Sequence, residues 1–468
     1  MFEMSQKISR GARKLVGATR VRDELPGLPD GPSDPSYVQT ALWLTRPTRL
    51  LRRYSEAFGE TFTMRVTGTP PLVMYASPEA IREIFTGPPD QLYAGEANVV
   101  LEPILGQHSV LLLDGKRHLR QRRLLMPPFH GSRMRAYGAV IRDVTLESMK
   151  RWPRGRAFPV HEFTQDITLD VILRTVFGFD EGPDMAAFRT ALSSFLERVA
   201  NPMMLVPAFR TDLGPWSPGA KLTAHLDAVD RLLYGQIRRR RRAGSDGRED
   251  VLAMLLDARD EDGEAMSDVE LRDELMTLLV AGHETTATSL AWTFYRLTRN
   301  PDALARAHAE IDETFDAEAG VDPERVKELR WLDACAKETL RLNPVIPGVA
   351  RRLQAPLTIG GVDLPAGIIA VPNVYLVHRN PRVWPDPLRF DPERFMGKKP
   401  SPYAYFPFGG GIRRCIGLAF ALYEMQVVLA TVLQKLTVSA VPDQRVKLVR
   451  RAITFAPSGG MPLIVEDR

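Results

Sequence analysis

The sequence predicts a mainly α-helical protein with a small β-rich portion, on three observations. Ser267-Asp268-Val269-Glu270 has the form of a capping box. It opens a helical pattern that runs to about Thr298, a rod of about 48 Å at 1.5 Å per residue. Helical signals dominate residues 114–345, whereas beyond 345 short apolar runs alternate with Gly and Pro turns. There is no internal repeat, low-complexity block or clean linker. The expected organisation is a basic N-terminal arm at 1–24 followed by a single domain over 25–468.

Taken in order, Lys7, Arg10, Arg13, Lys14, Arg20 and Arg22 make the arm basic, but no apolar stretch gives it the form of a signal peptide. Residues 25–32, rich in Pro and Gly, form a stiff entry. Residues 61–66 and 71–76 read as the two strands of a hairpin, and Ser77-Pro78-Glu79 as a helix start, with a cap, a proline and an acid in the first turn. Residues 86–113 lack periodicity and read as a long loop. In the long helix Leu271, Leu275, Leu278, Leu279, Leu290 and Phe294 suit burial. Helices follow at about 301–315 and up to Leu342-Asn343-Pro344, where the proline ends the second. Leu357–Ile359, Val362–Leu364 and residues 368–371 read as short strands, 378–413 as irregular chain, and a last helix runs from near Cys415 to about Leu436.

Composition narrows the function. At 468 residues, 44 % hydrophobic and 25 % charged, the chain can build a core unaided. Its two cysteines, Cys335 and Cys415, exclude an iron–sulfur cluster, an all-cysteine zinc site and a disulfide scaffold. No run of about 20 apolar residues offers a transmembrane anchor, so a cytoplasmic protein is expected. The net charge of +5 is mild. Five consecutive arginines at 238–242 lie at a helix end, where cations complement the dipole, and no nucleic-acid motif accompanies them.

The chemistry concentrates in a few segments. In Phe408-Gly409-Gly410-Gly411-Ile412-Arg413-Arg414-Cys415-Ile416-Gly417 the glycines permit close backbone approach. Cys415 sits at a helix start beside two arginines, a setting that favours a thiolate acting as nucleophile or metal ligand. In Ala281-Gly282-His283-Glu284-Thr285-Thr286, Gly282 and Thr285 share a helix face, and a threonine there can bond the carbonyl one turn back. His283-Glu284 is not a zinc-protease motif, because the second histidine is missing; His283 reads as packed or hydrogen-bonded. Glu338 and Arg341 are spaced to pair on one helix face, and so are His118 and Arg122. Lys116, Arg117, Arg120 and Arg123 crowd the same short helix as the latter pair.

The F-x-x-G-x-R-x-C-x-G spacing around Cys415 resembles the haem-binding signature of the cytochrome P450 family, and four further segments agree with that family in order and spacing. The resemblance covers nearly the whole chain from about residue 25 and implies the P450 fold, with the long central helix over the haem. It implies haem b (iron protoporphyrin IX) with Cys415 as axial thiolate, Arg413, His118 and Arg122 as propionate partners, and a further propionate arginine in Arg351-Arg352, with Arg352 preferred. Glu284 and Thr285 become the acid–alcohol pair that delivers protons to dioxygen. Glu338, Arg341 and Arg394 become a structural trio behind the cysteine loop. The substrate pocket is expected to be lined by the 86–113 loop, the 187–235 region with Met203, Met204, Leu205 and Phe209, and Val280, Ala281, Val345, Ile346, Val349 and Phe455.

The implied reaction is insertion of one oxygen atom of O2 into a C–H or C=C bond, hydroxylation included, of an apolar molecule such as a fatty acid, terpenoid, steroid or drug-like compound. The chain has no flavin or nicotinamide motif. Electrons are therefore expected from a ferredoxin or flavodoxin and a reductase using NAD(P)H, docked by charge at Lys116, Arg117, Arg120 and Arg123. The missing anchor resembles the soluble bacterial branch; the Asp391-Pro392-Glu393-Arg394-Phe395 stretch resembles the branch shared with fatty-acid and eukaryotic-type members. A peroxide-driven peroxygenase or haem isomerase is the alternative chemistry, which Glu284-Thr285 opposes, and a non-catalytic haem ligand-binding protein is the third reading.

Overall fold

A computed structural model describes residues 27–129, 133–244, 247–397 and 399–468; the basic arm lies outside the described residues. The helix Asp268–Thr298 forms the axis of the molecule. Its capping box is complete: Ser267 Oγ accepts the Glu270 N–H, and the Glu270 carboxylate accepts the Ser267 N–H at 2.8 Å. The helix packs most heavily on Val160–Thr175, and also on Pro218–Ala243, Arg330–Leu342 and Leu418–Lys435. Leu271, Leu275, Leu279, Leu290 and Phe294 are fully buried in that core. Leu278 is half-buried and faces a cavity instead. At the N-terminal half of the helix Asp273 accepts the His108 N–H at 2.9 Å, which pins the 86–113 loop. Gly106 makes room for that carboxylate: at φ +85° it is left-handed, and a Cβ would lie 2.0 Å from Asp273 Oδ1.

The expected hairpin is Thr61–Met64 paired antiparallel with Leu72–Tyr75. It is one end of a five-stranded sheet. Leu72–Tyr75 lies parallel to Ile369–Pro372, which borders Arg351–Leu353 and, through it, Leu92–Tyr93. The pairs Leu357–Ile359/Val362–Leu364 and Leu448–Arg451/Thr454–Pro457 are separate hairpins. A three-stranded sheet of Phe158–Pro159, Pro462–Asp467 and Leu436–Ala440 closes the C-terminal side, and no sequence signal singled it out. The last helix begins at Leu418, so Cys415 belongs to the loop before it rather than to its first turn.

Three arginines of the run at the end of Pro218–Ala243 are held by local ion pairs, while Arg238 and Arg242 are exposed. Arg240 forks onto buried Asp250 at 2.7 and 2.8 Å, Arg241 holds Asp268 at 2.6 Å, and Arg239 pairs with Asp184. Among the described residues no helix is long and apolar enough to cross a membrane.

Candidate functional site

The cysteine loop is shaped by close backbone packing. A Cβ on Gly410 would fall 2.2 Å from the Phe85 ring, which stands edge-on to Phe406 at 5.2 Å. The Cys415 N–H donates to Phe408 O at 2.9 Å, closing the loop. The thiol opens on a cavity deep in the protein rather than on the outer surface. Burial pushes its pKa up, opposed by the Gly417 N–H and the charges of Arg122 and Arg414.

Behind the loop, Arg341 and Glu338 are both 0 % exposed and joined by a fork, Nε and Nη2 to the two carboxylate oxygens at 2.7 Å each. Arg394 Nε stands 3.6 Å from Glu338, and the Asp391 N–H donates to it at 2.9 Å. Arg341 also donates to the carbonyls of His378, Pro387 and Arg389 at 2.6, 2.8 and 3.1 Å. His378 carries this network to the cysteine loop. Its Nδ1 meets Arg341 O at 3.2 Å and its Nε2 accepts the Phe406 N–H at 3.1 Å. That acceptor role fixes the neutral tautomer with the proton on Nδ1. Burial, with Arg341 and Arg379 nearby, holds the ring uncharged. Sequence reasoning passed over His378, because no spacing rule links it to either motif.

On another wall of the cavity the neutral imidazole of His118 lies among three cations, Arg122, Arg351 and Arg413. Burial, together with Arg413, Arg122 and Arg351, pushes the His118 pKa down to about 3, and its Nδ1 is buried with no protein partner. Arg351 is buried and directed at the cysteine loop, with Nη2 3.4 Å from Gly410 O. Arg352 is not part of this cluster. Strand alternation turns it outward, where its side chain is 41 % exposed and stands 3.5 Å from Glu96. Arg413 spends its Nη groups on protein, donating to Val110 O at 3.1 Å, Leu113 O at 2.5 Å and the Asp114 carboxylate. Asp114 in turn accepts the N–H groups of Ala94, Gly95 and Glu96, so it ties the 86–113 loop to the cysteine loop. Its position just ahead of the short helix is a signal that could have singled it out.

The long helix crosses the cavity with Ala281, Glu284 and Thr285 on its wall. Thr285 Oγ1 donates to Ala281 O one turn back, at 2.5 Å. Glu284 turns towards Val160–Thr175: it accepts from Gln165 Nε2 at 2.7 Å and lies 3.3 Å from Arg451 Nε. Burial pushes its pKa up, with Arg451, Gln165 and Thr288 acting against the shift. His283 is a packed residue, its Nε2 3.1 Å from Gln165 O.

The cavity holds about 1600 Å3, the space for any bound group included. Val280, Ala281, Val345, Ile346 and Val349 line it, as do Ala97 to Leu101 of the long loop. Phe455 does not. It is 0 % exposed and packed behind the wall, while its neighbours Ile453 and Thr454 face the space. Met203, Met204 and Phe209 border a separate outer depression beside Trp216; Leu196 and Val206 represent that region in the cavity, and the side chain of Leu205 lies outside the described set. The cationic face is thinner than expected. Arg120 is held by Asp260 at 2.5 Å and Glu270 at 2.7 Å, and Arg123 by Glu261; Lys116, Arg117 and Arg414 are exposed and have no such partner among the described residues.

A buried imidazole nitrogen and two cavity-facing arginines that have, respectively, no hydrogen-bond and no carboxylate partner among the described residues, with an inward thiol on the same space, fit a planar dianionic group with a thiophilic metal. Comparison with known proteins agrees. The chain belongs to the cytochrome P450 family, whose model matches residues 29–462; its members carry a haem held by a cysteine thiolate and act as monooxygenases. Among its relatives is a Mycobacterium tuberculosis protein named cytochrome P450 135B1, 40 % identical over 443 residues, which are 93 % of this chain and 90 % of the relative. Cytochrome P450 138 of the same organism is 36 % identical over 94 % of this chain and 97 % of its own length. The crystal structure of the cytochrome P450DA heme domain superposes with a TM-score of 0.82 at 27 % identity, covering 95 % of this chain and 97 % of that one. Retinoic acid-bound cyanobacterial CYP120A1 shares the fold, with a TM-score of 0.81 at 24 % identity over 92 % of this chain and 96 % of that one.

Proposed function

We propose that this protein inserts one oxygen atom of O2 into an apolar small molecule, with electrons delivered by separate redox proteins. The observation that carries the reading is that the Cys415 thiol, the Thr285 hydroxyl and an apolar wall line one cavity. Haem b held by Cys415 would supply dioxygen binding and the oxidising equivalent. Cys415 would be its thiolate ligand, and His118, Arg122 and Arg351 would meet its propionates, with the charge of Arg413 close by. Thr285 Oγ1, anchored on Ala281 O, orients a hydroxyl towards the cavity. Glu284 holds a proton more readily than a surface carboxylate, because burial raises its pKa. Bridging Gln165 and Arg451 on one side and the cavity on the other, it is placed to pass that proton inward. Val280, Val345, Ile346 and Val349 exclude water and hold an apolar substrate by burial alone, a contact that selects for hydrophobicity more than for shape. A ferredoxin or flavodoxin, reduced by an NAD(P)H-dependent reductase, would dock near Lys116, Arg117 and Arg414. The site lies in one catalytic domain over 25–468, and the protein is assigned to the cytoplasm.

The test is the reduced, CO-bound spectrum. Wild-type protein should show the red-shifted Soret band of a thiolate ligand, and Cys415→Ala should lack it. A band that survives Cys415→Ala refutes the assignment.

A further inference from the structure

Arg450 lies on the cavity wall in the strand Leu448–Arg451, opposite Phe455 in the register of its hairpin. It is only 9 % exposed. The Trp43 ring covers one face of the guanidinium, 4.1 Å from Cζ, and the Phe455 ring stands 5.7 Å away. Rings shield the face of a guanidinium but do not accept its N–H groups, which lie in the guanidinium plane. Nη1 donates to the carbonyl of Ala452 in the same hairpin at 3.3 Å. Nε and Nη2 are buried with no hydrogen-bond partner among the described residues. No carboxylate among the described residues pairs with Arg450. Burial pushes its pKa down to about 10, so it stays cationic at neutral pH.

The other arginines of this cavity differ. Arg451 stands by Glu284, Arg413 by Asp114, Arg151 by Asp166 and Arg352 by Glu96. Arg210 donates to Val100 O at 2.6 Å. Arg122 and Arg351 belong to the cluster assigned above to propionates. Arg414 is exposed to solvent, and Arg450 is the buried cation left over, set among apolar side chains, where an uncompensated charge is costly. The edge it leaves without a partner, Nε with Nη2, is the edge that Arg341 uses to fork onto Glu338 at 2.7 Å in this same protein. That edge matches the two oxygens of a carboxylate.

We infer that Arg450 reads the carboxylate of the substrate, so that this enzyme acts on apolar monocarboxylic acids in preference to their neutral analogues. A carboxylate arriving through the cavity pairs with the guanidinium as the side chain turns from the Trp43 face, while the apolar body stays among Val345, Ile346 and the long helix. The inference rests on the monooxygenase reading and narrows its substrate to acids.

The experiment titrates the haem-loaded protein with dodecanoic acid, hexadecanoic acid and abietic acid, each beside its methyl ester. Affinity is measured by calorimetry and by the Soret shift. At least one acid should bind about tenfold to a hundredfold more tightly than its ester, the range of a charged hydrogen-bonded pair in a dry site. In Arg450→Gln that preference should fall to within about threefold while ester affinity holds; Arg450→Lys should keep part of it. Acids that bind no better than esters overturn the inference, including the case in which neither binds. A preference that survives Arg450→Gln overturns it as well and makes Arg450 a structural cation. The wild-type acid–ester comparison decides the matter even where a variant folds poorly. Failure here with an intact thiolate CO band leaves the monooxygenase reading standing. Loss of that band refutes the monooxygenase reading, whatever the calorimetry gives.

Discussion

Replacing Arg341 by lysine keeps the positive charge and removes the fork. In the native protein the guanidinium makes two bonds to Glu338 at 2.7 Å and three to the carbonyls of His378, Pro387 and Arg389, all away from water. A lysine ammonium has three donors radiating from one atom. It can keep one contact to Glu338 and reach one or two of the carbonyls. At least two buried, charge-assisted bonds are lost, each worth about 1.5–3 kcal/mol, so the expected cost is about 3–6 kcal/mol. That is a large share of the about 5–15 kcal/mol that holds a typical domain folded. In urea unfolding followed by far-UV circular dichroism, a slope of about 3 kcal/mol/M or more converts the loss into a fall of the midpoint by about 1 M. Arg341→Met should fall further, because it leaves Glu338 charged and buried with Arg394 at 3.6 Å as its remaining cation. Both variants should also lose thiolate-type CO binding before they lose helix content, since Arg341 reaches the cysteine loop through His378. A midpoint for Arg341→Lys within about 0.2 M of wild type would refute this reasoning, because it would mean the fork carries no net stability.

Thr285→Ala should retain substrate binding and reduction yet form less product per NAD(P)H consumed, by about tenfold, the excess appearing as peroxide; unchanged coupling removes the hydroxyl from proton delivery. Glu424 is buried beside Thr286, and burial raises its pKa to about 8 from 4.5. The folded protein therefore takes up a proton that the unfolded chain releases. Stability should decline as pH rises from about 4.5 to about 8, by at most about 1.4 kcal/mol per unit, and then level off. Glu424→Gln should flatten that slope in urea titrations at pH 5, 6, 7 and 8; an identical slope in the variant refutes the assignment. Charge reversal at Lys116 and Arg117 together should slow first-electron transfer, timed by stopped flow, and weaken its salt dependence. Reversal at Arg120 should instead lower stability, because it places like charge against Asp260 and Glu270; equal rates in the Lys116/Arg117 variant and wild type move the docking site elsewhere.

The elements legible in the sequence are those set by local chemistry. Ser267 and Glu270 announce the start of the long helix because both halves of the cap lie within one turn. The Gly409–Gly411 turn announces close approach to something, and that neighbour is Phe85. What stayed hidden depends on partners far along the chain. Arg351 and Arg352 are chemically identical, and the direction of each is set by a strand whose register is fixed by Ile369 and Ala370. Arg120 and Arg123 look like a free basic patch until Asp260, Glu261 and Glu270 arrive from another part of the chain. Phe455 has the composition of a pocket residue, but hairpin pairing turns it into the core. Arg450 carries no motif at all; its meaning lies in the partner it does not have.

The sheet that frames the site has a consequence for synthesis. It pairs Met74 with Val371, and just past that strand the Asn373 side chain meets Met74 from 299 positions along the chain. At about 5–20 residues per second the ribosome needs roughly 15–60 s to supply the second strand after the first has emerged. During that time the hairpin at Thr61–Met64 and Leu72–Tyr75 has no sheet to join, and a two-stranded hairpin is marginal in water. Val73, Met74 and Tyr75, later buried, stay open to water on an unpaired edge. The cysteine loop emerges later still. Cofactor capture is therefore a late event on an almost complete chain, and a nascent chain stalled before residue 369 presents a sticky edge that holding chaperones are suited to cover.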